Sequence, residues 1–323
     1  MAHEIQNNTL TGLAEIAYVG EKPWHGLGQE LQQDATIEDW IVSAGMAWEV
    51  IGSPVRFNTT GGTQVYHGQQ VLHRSDTGTP LSIVSEDFRV VQPAEVLEFF
   101  RDLTQIHKMK LNVAGCLFGG KRFWATAETG LAADILPGDG VRGQLLLMTG
   151  IDGMVATSAK FVSTRVVCNN TLQVAMGETG GRQVRRTHRQ TFDAHQVKLD
   201  LGLINGAWDK YIQDMKKLTT VKMTDDTAAE FFKRLVAKPM DAKLDGGMSR
   251  ATINTVDELM HRLRNGLGAE SGRGTAWNVL NAVTEKYTHG TARRDTDRQF
   301  INSVYGNDAA MKDKAADMLL ELV

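Results

Sequence analysis

The chain is 323 residues long, 42% apolar and 23% charged, enough apolar material for one large core or two smaller ones. Lys plus Arg number 35 against 38 Asp plus Glu, a net charge of -3, which excludes a protein that coats nucleic acid by bulk charge and an acidic disordered tail. Cys116 and Cys168 form no C-x-x-C pair, no apolar run reaches the ~18 residues of a membrane span, and MAHEIQNNTL lacks the basic start and apolar stretch of a secretory leader, so a cytoplasmic protein without a structural zinc site or membrane contact is expected.

In chain order, Trp24-His25-Gly26-Leu27-Gly28 reads as a loop. A short helix follows, capped by Asp34 or Thr36 and stopped at Gly45. Trp48 to Phe57 reads as a strand interrupted by Pro54, Val65 to Arg74 as one strand or a tight hairpin, and Pro80 to Val84 as another strand. Pro93 suits the first position of a helix whose apolar face is Val96, Phe100 and Leu103. Two hairpins are expected next: Val113–Phe118 with Arg122–Ala127 around Gly119-Gly120, and Gln144–Ile151 with Met154–Phe161 around Asp152-Gly153. The glycine- and arginine-rich stretch 177–190 reads as a loop or ribbon tip. Beyond it the apolar period changes from two to 3.6. Val197, Leu201, Ile204, Trp208, Tyr211, Met215 and Leu218 form one stripe on a helix of about 30 residues. Shorter helices are expected near Thr227–Ala237, Thr252–Arg264, Ala276–Thr288 and Asp308–Leu322. The expected fold is therefore α+β: a β-rich domain over residues 1–190, with antiparallel hairpins and a packed helix, and a helical region over 191–323.

Several residues could carry chemistry. Gly115 to Arg122 nearly fits a phosphate loop, but Arg122 replaces the Ser or Thr that would hold Mg²⁺ and a strand follows, so it reads as a hairpin turn. Cys168, at a strand end before Asn169 and Asn170, could be a nucleophile acidified by a helix dipole or simply a packed thiol. The nine histidines show no H-x-x-x-H spacing, and no metal or other cofactor is expected. Between Arg182 and Lys198 the cations are Arg182, Arg185, Arg186, Arg189 and Lys198, opposed by Asp193 alone. Lys160 and Arg165 would extend that surface if their strand faces the same side. Arginine forks match phosphates, and clustered cations gain from counterion release. The bland alternative is a solvated loop. Trp40, Trp48, Phe123 and Trp124 read as core; Trp24, beside His25, is the best placed for base stacking.

Three segments resemble one family. Trp24-His25-Gly26-Leu27-Gly28 is similar to its W-H-G-L-G signature, Arg165-Val166-Val167-Cys168-Asn169-Asn170-Thr171-Leu172 to its R-V-V-C-x-N-T-L element, and Gly274 to Glu285 to its G-T-x-W-x-x-x-N-A-V-T-E element. This is the phage- and plasmid-encoded family centred on domain of unknown function 932, and the resemblance implies a mobile-element protein in a bacterial host's cytoplasm. The layout is similar in outline to phage single-strand annealing proteins of the Redβ and RecT type, which assemble into rings or filaments and bind single-stranded DNA without a cofactor. The reading that follows is a non-enzymatic homo-oligomer that binds or anneals single-stranded DNA. The alternatives are an enzyme built on Cys168 and a module that binds a host defence protein, which an apolar patch on the C-terminal helices would favour.

Overall fold

The structure is a computed structural model that describes residues 7–8, 10–20, 27–107, 109–165, 171–173, 184–186, 204–238, 241, 248–290 and 296–323. Trp24, His25, Cys168, Arg182, Arg189 and Lys198 lie outside the described residues, as does the first part of the long apolar stripe. The fold is α+β. The strands are β1 (Ile16–Tyr18), β2 (Gln29–Glu30), β3 (Val50–Thr59), β4 (Gly62–Arg74), β5 (Pro80–Ser85), β6 (Lys110–Leu117), β7 (Arg122–Leu136), β8 (Asp139–Gly150), β9 (Thr157–Arg165), β10 (Thr171–Gln173) and β11 (Val184–Arg186). The helices are α1 (Ile37–Ser43), α2 (Pro93–His107), α3 (Ile204–Leu218), α4 (Asp225–Val236), α5 (Arg250–Asn265), α6 (Ala276–His289), α7 (Thr296–Tyr305) and α8 (Asn307–Leu320). One sheet runs in the order β10-β9-β8-β7-β6-β1-β2, with β11 also on β9; a second has the order β3-β4-β5.

The chain forms two compact units, each discontinuous in sequence: residues 1–130, 144–161 and 176–203 make one, and 131–143, 162–175 and 204–323 the other. Two stretches before residue 190 thus cluster with the helices.

In the first unit α1 starts as expected. Thr36 accepts from the Asp39 amide while the Asp39 carboxylate accepts from the Thr36 amide, a reciprocal cap. Gly45 ends the helix at φ +67, a conformation costly for any side chain. β3 and β4 pair antiparallel, with the register slipping between Pro54, opposite Gln70, and Val55, opposite Tyr66: proline lacks the amide a regular ladder needs, and the extra residues 67–69 bulge out of β4 there. α2 begins at Pro93 and buries Val96, Phe100 and Leu103, together with Leu97 and Phe99. β6 and β7 pair through the Phe118-Gly119-Gly120 turn, where all three residues have positive φ.

Two expectations need correction. Asp152-Gly153 does not make a tight two-residue turn. Asp152 instead accepts from the Met154 amide inside a longer connection over 151–156, because an Asp side chain can cap its own loop instead of leaving the turn to the backbone. β7 runs on to Leu136, and the turn into β8 is Pro137-Gly138, with Gly138 at φ +77. That pairing suits a type II turn, where proline presets the first central residue and glycine takes the second.

In the second unit α6 is the central helix. Every residue from Ala276 to Lys286 is buried, and it packs against α3, α5, α7, α8 and β10. A helix covered all round must satisfy its polar side chains internally. Asn278 donates to the Leu263 carbonyl, Asn281 to the Trp277 carbonyl and Thr284 to the Asn281 carbonyl, while Glu285 pairs with Arg262 and Lys286 with Glu258. The surrounding helices present Trp208, Tyr211, Met215, Leu218, Phe231, Phe232, Leu259 and Leu263 to the core. The C-terminal stretch is two helices, with α7 ahead of Gly306 as well as the expected α8.

Candidate nucleic-acid interface

Of the basic stretch, the described part is β11, which pairs antiparallel with β9: Val184 lies opposite Ala159, Arg185 opposite Ser158 and Arg186 opposite Thr157. The same strand holds β10, with Thr171 opposite Thr164, Leu172 opposite Ser163 and Gln173 opposite Val162. The backbone of Arg185 and Arg186 is therefore part of the sheet and not of a free loop.

Lys160 and Arg165 do not extend that surface. They are 3% and 2% exposed, because β9 is covered along almost its whole length. A strand with both faces covered loses the apolar–polar alternation that would have announced its orientation. Phosphate contact is thus not available to either side chain.

Arg165 belongs instead to a buried ion pair. Its Nε donates to Asp139 Oδ1 at 2.5 Å and its Nη2 to Asp139 Oδ2 at 2.6 Å, the bidentate geometry a guanidinium prefers. Ser271 Oγ and Trp277 Nε1 also donate to Oδ2, at 2.5 and 2.8 Å. Arg165 Nη2 reaches the Gly268 carbonyl at 3.1 Å, and the guanidinium lies 5.6 Å from the Trp277 ring centre. Burial pushes the Asp139 carboxyl up, but the donors from Arg165, Ser271 and Trp277 outweigh it and hold the group below the usual carboxylate range. The loop before α6 is shaped around this centre. Gly268 sits at φ +72, and a side chain there would begin 2.8 Å from Arg165 Nη1. Beside the pair is a narrow cleft between Val141, Leu172, Tyr211 and Leu280, with room for about one water. Tyr211 accepts from Ser163 at 2.6 Å, and burial pushes its phenol up to about 12. A carboxylate so fully engaged and so acidic is a poor general base. The centre fixes the packing of strand, loop and helix.

The first unit holds a counterpart. Arg74 donates through both Nη atoms to Glu15, at 3.0 and 2.6 Å, and through Nε to Asp76 at 2.9 Å, and lies 4.0 Å over the Trp48 ring. Cys116 is buried beside it. Burial and then the charge of Glu15 raise its thiol well above the ordinary value, so it is no ready nucleophile. Among the described residues no group of three or more His, Cys, Asp or Glu is placed to hold a metal ion, and no helix is long and apolar enough to cross a membrane. Arg122, in the near-phosphate loop, pairs with Asp152 at 3.2 Å.

Sequence reasoning missed Asp139 and its partners. The available signal was an acidic residue directly after Pro137-Gly138, heading a strand that becomes wholly apolar at Leu145 to Met148. The segments 165–172 and 274–285 meet here: Arg165 and Leu172 come from one, Trp277, Asn281 and Thr284 from the other. From the third segment, Gly28 is described; at φ +114, a side chain on it would begin 3.0 Å from the Ile16 carbonyl.

A family model described as domain of unknown function DUF932 matches residues 80–311, more than two thirds of the chain. The chain belongs to the DUF932 family. The matched stretch contains Asp139, Arg165, Ser271 and Trp277, and in this DUF932 protein these residues tie a strand end, a loop and α6 of the second unit together. No curated protein and no solved structure matches the chain.

Proposed function

We propose that this DUF932 protein binds single-stranded nucleic acid, DNA in the first instance, through the arginine segment 182–198, in recombination or replication of a phage or plasmid. The observation that carries the reading is the charge of that segment: Arg182, Arg185, Arg186, Arg189 and Lys198 against Asp193, in a chain whose net charge is -3. Such a local excess attracts a polyanion by counterion release without making the whole protein sticky. The pairing of β11 with β9 supports it, since it orders the backbone of Arg185 and Arg186 and so lowers the entropic cost of holding either one against a phosphate. Lys160 and Arg165 have no part in this surface. The reading requires no bond to be made or broken in the nucleic acid.

The test is a gel-shift titration of the full chain with a labelled single-stranded oligonucleotide over a range of salt. Binding that weakens steeply with salt, and falls about tenfold or more in Arg185→Ala/Arg186→Ala, is the expected result. No binding at low salt, or unchanged binding by the double variant, overturns it.

A further inference from the structure

The three-stranded sheet β3-β4-β5 has two unlike faces. Strand alternation puts Val50 and Gly52 on one side, opposite the buried Arg74 and Leu72. The other side carries Ile51, Val55, Phe57, Tyr66, Val71 and Ile83: Val55 is paired with Tyr66, Val71 with Ile83, and Phe57 is two residues along β3 from Val55. Ile51 is 40%, Phe57 47%, Tyr66 51% and Ile83 59% exposed, against Val65 alone, 39%, on the opposite face. Exposed apolar side chains scattered singly are ordinary; gathered on one sheet face they mark a contact surface.

We propose that this face packs against the same face of a second copy of the chain. Charge decides the occupant. Between Val50 and Val71 the one Asp, Glu, Lys or Arg is Arg56, and it alternates onto the side opposite Phe57, paired with Val65. Ser53 and His73, which share the apolar side, hydrogen-bond each other at 2.9 Å. A face without Lys or Arg offers little to a polyanion, whereas a two-fold axis sets like against like, and a face without Asp, Glu, Lys or Arg is the kind that meets itself without repulsion. The hairpin's open backbone points the same way. β5 pairs with β4 over Gln69–His73, and Glu86 just beyond it donates to the Gly68 carbonyl, so β4 from Gly62 to His67 has β3 as its described neighbour. A two-stranded ribbon is marginal in water by itself and gains from cover. Ten residues of β3 at ~3.3 Å each and two to three strands at ~4.8 Å give a face of roughly 320–475 Å² per copy, about 640–950 Å² in total, below the ~1,000 Å² of a stable interface, so the contact is a weak, transient one and the dimer exchanges with monomer. The family match begins at Pro80, so β3 and β4 lie outside the stretch it covers. The proposal stands independently of nucleic-acid binding.

Mass measured against concentration, by sedimentation or light scattering on the full chain without nucleic acid, is the experiment. The wild type is expected to pass from monomer to a larger species in the micromolar range. Phe57→Lys/Tyr66→Lys should weaken that association at least ~10-fold, and Val65→Lys, on the opposite face, should leave it unchanged. If the lysine pair disturbs the circular dichroism spectrum, Phe57→Ser/Tyr66→Ser is measured instead, with the same expectation. A chain that stays monomeric throughout, an assembly indifferent to both double variants, or one weakened equally by Val65→Lys overturns the proposal.

Discussion

Removing the Arg165 guanidinium leaves the Asp139 carboxylate buried, with Ser271 and Trp277 still donating to it. Breaking one side of a buried pair strands the other charge, and Arg165→Ala should cost about 3–5 kcal/mol in chemical denaturation. Arg165→Met with Asp139→Leu removes both charges and should recover most of that loss; a double variant as unstable as the single one would contradict this account. The pH dependence has a definite sign. Because the folded carboxyl of Asp139 titrates below its unfolded value, its contribution is complete above the ordinary aspartate range near pH ~3.9 and is lost as pH falls through the lower folded value. Asp139→Asn should therefore flatten the acid limb of the stability curve below about pH 4. Glycines offer a cleaner contrast. Gly120 and Gly130 both have positive φ, but a Cβ on Gly120 would lie 2.6 Å from the Trp48 ring while one on Gly130 meets nothing within 4 Å. Gly130→Ala should cost about 1–2 kcal/mol for the backbone alone, and Gly120→Ala about 1–3 kcal/mol more.

At the level of elements, α1 is where local chemistry speaks most clearly. Thr36→Ala removes the acceptor for the Asp39 amide and should lower stability by about 1 kcal/mol, read as a shift in the denaturation midpoint at constant slope. The same clarity explains why α1, α2, the β6–β7 turn and the helices α4 to α6 were legible beforehand. Thr36, Pro93, Gly119-Gly120, Gly266 and Gly290 are starts and stops whose effect is decided within a few residues. What was hidden depended on distant partners. The alternation that should orient a strand is absent in β9, because it is covered on both faces, so Lys160 and Arg165 looked like surface cations. The Asp139 centre joins residues up to 138 positions apart, a separation that spacing within one segment does not reveal. Pro137-Gly138 is a readable turn signal, but the strand expected over Arg122–Ala127 stops nine residues short of the observed end of β7 at Leu136.

For the whole molecule, charge has opposite meanings in different places. Arg74 and Arg165 are consumed by carboxylates in the interior, while the segment 182–198 keeps a surplus of four positive charges in sequence. If that surplus grips single-stranded phosphates, the logarithm of affinity should fall with the logarithm of salt at a slope of about -0.7 per contact. Arg185→Ala/Arg186→Ala should then make the slope shallower by about 0.7 for each phosphate contact removed, and an equal slope in both proteins would place the contacts elsewhere.

The alternation of chain segments between the two units also bears on how such a protein can be inherited. Residues 131–143, 162–175 and 204–323 build one unit out of pieces between which the other unit's segments are threaded. A genetic exchange with a single breakpoint anywhere from 131 to 203 would separate strands from the helices they cluster with. A chimera joined inside that interval should therefore be recovered as insoluble protein.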